Sequence, residues 1–216
     1  MKNKALLSML IVCSSPAFAD STASKFYGGL DLGSAKVENR AQAIADTFVS
    51  VLGGSSSVTQ TVRNGAWRLY GGYKAFENAD FELGYMQTRD FDTTVSGVTG
   101  ASYSNTAYSA TGSVKVSGFD YSVLLRPDRS TGMNGFFLRL GGHNYKAEAT
   151  TAVTVGNTNA SVNTKESGTG ITYGIGYDLT INDAVDIRFG ITQMKKIAGL
   201  SNNDATYFSV GVKGNF

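Results

Sequence analysis

Large apolar side chains recur at every second position over eight stretches of this chain, and the positions between them are mostly glycine, polar or charged. Alternation with period two predicts strands whose two faces meet different surroundings. The first stretch, Phe26–Val37, sets Phe26, Leu30 and Leu32 against Tyr27, Asp31 and Gly33. In 66–75, Trp67, Leu69 and Tyr73 alternate with Arg68, Tyr70 and Lys74; in 81–88, Phe81, Leu83 and Tyr85 oppose Glu82 and Gly84. Stretch 114–125 lines up Phe119, Tyr121, Val123 and Leu125, and 136–147 sets Phe136, Leu138 and Leu140 against Arg139, Gly141 and His143. In 170–179 an unbroken apolar face from Ile171 to Leu179 backs onto Thr172, Gly174, Gly176 and Asp178. The last two, 185–194 and 205–216, set Ile187, Phe189, Val210 and Phe216 against Asp186, Arg188, Gly211 and Lys213.

Connection lengths decide what these strands build. Short links at 76–80 and 180–184, and a moderate one at 126–135, alternate with long ones at 38–65, 89–113, 148–169 and 195–204. Short turns at one end and long loops at the other are the arrangement of a membrane barrel. The expected fold is all-β: an eight-stranded antiparallel up-and-down transmembrane β-barrel with long extracellular loops and both termini periplasmic. Phe26, Tyr73, Phe81, Tyr121, Phe136, Tyr177 and Phe216 fall near the expected periplasmic ends, where aromatic rings sit at a headgroup interface.

The N-terminus supplies an address. Lys2 and Lys4, an apolar run from Ala5 to Val12 and the small-x-small site Ala17-Phe18-Ala19 predict a cleavable signal over 1–19 and a barrel domain over 20–216. Cys13, with Leu10 three residues before it, offers a rival lipidation site, but Val12 fits poorly beside it. Cleavage leaves 17 of the 19 basic residues against 17 acidic ones, so no basic field points to nucleic acid. The single cysteine departs with the signal, which removes disulfides and thiolate metal sites.

The opening Lys25-Phe26-Tyr27-Gly28-Gly29-Leu30 and the ending Tyr207-Phe208-Ser209-Val210-Gly211-Val212-Lys213-Gly214-Asn215-Phe216 resemble those of the small eight-stranded outer-membrane barrels. That group includes the OmpA transmembrane domain, OmpX, and the neisserial opacity and surface-protein-A adhesins, and the resemblance covers 20–216. It implies an outer-membrane location amid lipid and lipopolysaccharide. It also implies recognition by the barrel-assembly machinery through the strand ending at Phe216, with a departure at Gly214, where an aromatic is common.

Eight strands close around an interior that side chains fill, which argues against a diffusion porin. The inward set Asp31, Arg68, Lys74, Glu82, Arg139, Asp178, Asp186, Arg188 and Lys213 mixes both signs and is expected to pair. His143 is the one imidazole. Lipid A deacylases that resemble this chain pair such a histidine with a serine two positions on, where this chain has Tyr145; Glu148 could orient the ring. No catalytic, cofactor-binding or metal residue is assigned.

Function is therefore expected in the loops. Ile44, Phe48, Val51 and Leu52 at helical spacing predict a short helix within 38–52, with Asn39 as N-cap, Gln42 completing a capping box and Gly53-Gly54 as the stop. Its apolar face would fold over the barrel mouth or bind a partner or membrane surface. Segments 151–155 and 160–164 flank 156–159 as a hairpin beyond the membrane, and 95–103 with 111–117 would extend the neighbouring pair. Open edges there would permit strand addition to a host or cell-surface partner. Surface interaction, adhesion or colonisation is the leading expectation; a passive envelope barrel, a narrow channel and a lipid A-modifying enzyme are the alternatives.

Overall fold

The computed structural model describes residues 25–127 and 133–216. The export signal expected over 1–19 and part of the 126–135 link lie outside them. Ten strands form one antiparallel sheet: β1 (Phe26–Val37), β2 (Ser55–Gln60), β3 (Arg63–Phe76), β4 (Ala79–Thr88), β5 (Phe91–Val98), β6 (Ala107–Leu125), β7 (Phe136–Val155), β8 (Thr158–Asn182), β9 (Val185–Lys195) and β10 (Ala205–Asn215). Eight of them close a ring in the order β1, β3, β4, β6, β7, β8, β9 and β10, with β10 paired back to β1. All eight expected segments are wall strands.

The alternation sorts the two faces as a membrane demands. Leu32, Leu83, Ile175 and Val210 stand exposed on the outside, while Asp31, Arg68, Glu82, Asp178 and Arg188 are buried within. A soluble barrel would reverse this, because charges are costly to hide and apolar surface is costly to wet. No described helix is long and apolar enough to cross a membrane; strands do the crossing.

The two ends of the barrel differ. At the turn end, β3 and β4 are joined by a tight turn, as are β8 and β9, and Phe26–Tyr73 and Phe136–Tyr177 pack ring on ring at 5.0 and 4.9 Å. At the loop end, β6, β7 and β8 run on past the wall. β7 and β8 stay paired up to Val155 and Thr158, where Gly156 takes the left-handed φ of 57° that the two-residue turn needs. β5 pairs with the upper part of β6, and β2 pairs with β5, giving a five-stranded outer sheet in the order β2, β5, β6, β7, β8.

Three loop expectations need correction. The second hairpin uses Phe91–Val98 against Ala107–Val114, not 95–103 against 111–117, because the chain reverses through a 3₁₀ turn at Ala101–Tyr103. β2 was not foreseen at all. The helix, α1 (Ala41–Leu52), exists and stops at Gly53 with φ 66°, but its N-cap is Arg40, whose own side chain makes no capping bond. Asn39 accepts from the Ala41 amide at 3.0 Å, while the Gln42 side chain turns forward to Asp46, so no capping box forms.

Nor does α1 cover the mouth. Ile44, Phe48 and Leu52 pack on Val58, Val95, Tyr108 and Ala110 of the outer sheet, with the Phe48 and Tyr108 rings stacked at 5.7 Å; Val51 points to solvent. The mouth is filled instead by the β9–β10 loop, whose Ile197 and Ala198 drop onto Met86, Phe91, Tyr145, Met194 and Tyr207. Phe48→Ala should free α1 by removing a stacked aromatic contact. Limited proteolysis is expected to cut within 41–52 faster in the variant, while the β-sheet circular dichroism of the barrel is unchanged.

Candidate functional site

The lumen and the outer sheet are the two candidate sites. Inside the barrel, consecutive inward positions on neighbouring strands place opposite charges side by side. Arg68 on β3 binds Asp120 on β6 at 2.6 Å and Glu82 on β4 at 2.8 Å, and stands 3.7 Å from Asp31 on β1. Glu82 also receives Arg139 from β7 at 2.8 Å and Arg188 from β9 at 2.6 Å. Arg188 reaches on to Asp178 at 2.7 Å, which also takes Lys213 at 2.6 Å and Arg126 at 2.8 Å. Lys213 then binds Asp186, and Arg126 binds Asp80, both at 2.8 Å.

Aromatic rings fill what the ions leave. The Arg188 guanidinium lies 4.7 Å from the Tyr70 ring and 4.9 Å from that of Phe137. Inward glycines make the space: a Cβ at Gly84 would come within 2.6 Å of Arg68, and one at Gly72 within 2.0 Å of the Tyr27 ring. With the apolar cluster at the mouth above, the interior is a packed, cross-braced plug.

The inward set read from the sequence is thus brought together, with one qualification. Lys74 is only half-buried and donates to Asn215 at 3.1 Å instead of joining a carboxylate. Asp80, Asp120 and Arg126 were missed. Asp120 lies between outward Phe119 and Tyr121, so alternation could have found it; Asp80 falls in the expected 76–80 link but belongs to β4, and Arg126 lies just past the end of β6, where alternation is silent.

His143 is fully buried. Its Nδ1 is 2.9 Å from the Thr172 hydroxyl, its ring stacks on Tyr145 at 4.3 Å, and its Nε2 faces Gly170. Glu148 does not orient it. That residue points outward, where Lys146 at 2.5 Å and Lys165 at 3.5 Å hold it; the hydrogen bond from Lys146 keeps its carboxyl below the usual range. Among the described residues no group of three or more His, Cys, Asp or Glu could hold a metal.

The outer sheet is the opposite of the lumen. β8 pairs with β9 only from Ile171 onward; Gly168 and Gly170 are closed off by the 195–199 segment, and Thr158–Ser167 has a strand neighbour on the β7 side alone. Residues 158–167 are exposed on both faces, Val162 to 61%. On its outward face the sheet carries rows of short polar side chains, such as Ser57, Ser96, Ser109, Thr154 and Asn159 across its five strands. The far edge, β2, likewise has a strand partner only in β5.

A family model described as an outer membrane protein beta-barrel domain matches residues 5–216. Comparison with curated protein sequences gave no match. Among solved structures, the Yersinia pestis attachment invasion locus protein Ail is similar at 9% identity and a TM-score of 0.48, over 89% of this chain and 99% of that one. The outer membrane protein OprG of Pseudomonas aeruginosa is 13% identical at 0.42, over 90% and 96%. The Escherichia coli outer membrane protease OmpT is 8% identical at 0.35, over 94% and 100%.

Glu82 neutralises three arginines, so Glu82→Gln should leave buried cations facing one another and cost about 3–5 kcal/mol. The measurement is the thermal midpoint in detergent micelles, expected to fall well below that of the parent. In planar bilayers the parent barrel is expected to give no sustained large channels.

Proposed function

Because the chain belongs to the outer membrane protein beta-barrel domain family, and so resides in a bacterial outer membrane, we propose that its task is to hold a stiff β-sheet outside the cell for contact with a partner surface. The observation that carries this reading is the unpaired edge of β8 over 158–167, displayed beyond the wall on a sheet whose inner face α1 covers as far as β7. A flat edge of Thr, Asn, Ser and Val without proline is a template for strand addition, in which backbone bonds supply affinity and alternate side chains supply selectivity. Adhesion or colonisation through a host or cell-surface protein is the biological form of that contact.

The loop end is then extracellular, and the turn end, with residues 26 and 215, is periplasmic. A signal over 1–19 delivers the chain, the strand ending at Phe216 engages the barrel-assembly machinery, and lipopolysaccharide surrounds the outer rim. The packed lumen favours a non-enzymatic, non-conducting barrel: His143 is buried, with Thr172 and Tyr145 beside it.

Protease added to intact cells should cut within 151–164 and leave the wall strands whole; cleavage only after the outer membrane is opened would reverse the orientation. Adjacent strand residues aim their amides to opposite sides, so one of Val162→Pro and Asn163→Pro strips a donor from the open edge. That variant, like deletion of 151–164, should abolish adherence to host cells at normal surface display. Unchanged adherence in both would refute strand addition.

A further inference from the structure

The open edge of β8 is a chemical palindrome. Residues 158–164 read Thr-Asn-Ala-Ser-Val-Asn-Thr, so about Ser161 each residue is mirrored by its own kind: Ala160 by Val162, Asn159 by Asn163, Thr158 by Thr164. The segment carries no charge, and every side chain in it is exposed. Lys165 and Glu166 follow at its wall end only.

The backbone phase has the same symmetry. Val155 and Thr158 flank the two-residue turn and exchange hydrogen bonds, while the Gly156 amide faces the other way and donates to Ala107 of β6 at 3.1 Å. Facing alternates along the strand, so Thr158, Ala160, Val162 and Thr164 bond to β7, and Asn159, Ser161 and Asn163 turn N–H and C=O to the open side. The side chains sort likewise. Ala160 pairs with Val153 and lies on the inner face that α1 covers further along; Asn159, Ser161 and Asn163 lie on the outward face. Asn159 Oδ1 is taken by the Thr154 hydroxyl at 2.8 Å, and the NH2 end is what it offers a facing asparagine.

A strand added here must present amides and carbonyls in phase, small apolar groups inward and short polar groups outward. β8 itself, turned over a two-fold axis through Ser161, meets all three demands. Asn159 then faces Asn163 and Ser161 faces Ser161 in hydrogen-bonded pairs, with about six backbone bonds across the axis. Ala160 and Val162 meet in the closer pairs between them, which cover a valine now 61% exposed. We propose that the partner of this edge is β8 of a second copy, held antiparallel in an isologous contact. The axis runs perpendicular to the sheet and so parallel to the membrane, which makes the mate an inverted copy standing on another cell. Charge placement selects the same arrangement. Copies in one membrane share one orientation, and parallel edges would set Lys165 beside Lys165 and Glu166 beside Glu166. Antiparallel, those residues lie across from Asn157 and Gly156 at the uncharged tip. From Gly170 to Ser161 the strand rises about 30 Å, so the facing rims stand roughly 60 Å apart. One such contact is weak, and two surfaces bearing many copies multiply it. The proposal rests on strand addition at the β8 edge and on the loop end being extracellular.

Cells with truncated surface polysaccharide and no other self-associating surface protein are expected to clump when they display this chain. Because Ser161 meets itself, Ser161→Lys and Ser161→Glu each set like charges face to face, and each should slow clumping of its own cells about tenfold or more at parental display. Mixing the two variant populations in different colours should restore parental clumping, with both colours in every clump; this rescue also shows that the variants fold. A parent that stays dispersed, single variants that clump as the parent does, or a mixture that fails to recover would overturn self-pairing. Adherence of Asn163→Pro cells to host cells separates the two readings. Lost adherence alongside a dispersed parent leaves strand addition standing with another kind of partner, and unchanged adherence removes both.

Discussion

Three arginines from three strands converge on Glu82, and the rest of the molecule is arranged around making that convergence possible. A barrel of eight strands is too narrow to hold bulk water, and the lipid outside forbids turning charged residues outward. Charges must therefore sit in the lumen, and there they are tolerable only when paired and hydrogen-bonded. Glu82 ties β4 to β3, β7 and β9 at once, and Asp178 extends the tie to β10 and the β6 link. The bracing spans the ring crosswise, while the backbone ladder holds it edge to edge. Glycines such as Gly84 and Gly72 follow from it, since each gives its space to a large side chain from the next strand.

Much of this was legible in the sequence, for a physical reason. Lipid on one side and a packed lumen on the other impose a strict period of two, so every wall strand and nearly every inward charge could be read from alternation. Legibility fades where that constraint ends. β2 is Ser55-Ser56-Ser57-Val58-Thr59-Gln60, with no large apolar face, and it is a strand because β5 pairs with it in solvent. Asp80 lies at the very start of β4 and Arg126 just beyond the end of β6, where too few alternating positions remain to read. The apolar face of α1 was visible, but its seat was not, because Val58, Val95 and Ala110 are too small and scattered to advertise a second core. Which charges would pair was equally hidden: partners such as Glu82 and Arg188 are separated by 106 residues and meet only through ring closure.

The two cores divide the labour. The lumen core is wholly internal and makes the barrel rigid; the second, between α1 and the outer sheet, has the separate task of stiffening strands that have left the wall. A two-stranded ribbon of this length in water would be marginal on its own. Joining β7 and β8 to β6, β5 and β2, and covering part of the inner face with α1, converts that ribbon into a supported sheet. The support is one-sided. It stops short of β8, leaving Ala160 and Val162 exposed at the far edge.

That incomplete support is what sets this edge apart. Natural sheets usually defend an exposed edge with charge, proline, a bulge or a covering element. The upper part of β8 has none over 158–164, its nearest charges being Lys165 and Glu166 at the base of the extension. A barrel anchored in a membrane can tolerate such an edge better than a soluble protein can, because its copies share one orientation and cannot tumble into antiparallel contact. The same anchoring that buries a charged lumen therefore also lets the chain keep one strand edge unpaired.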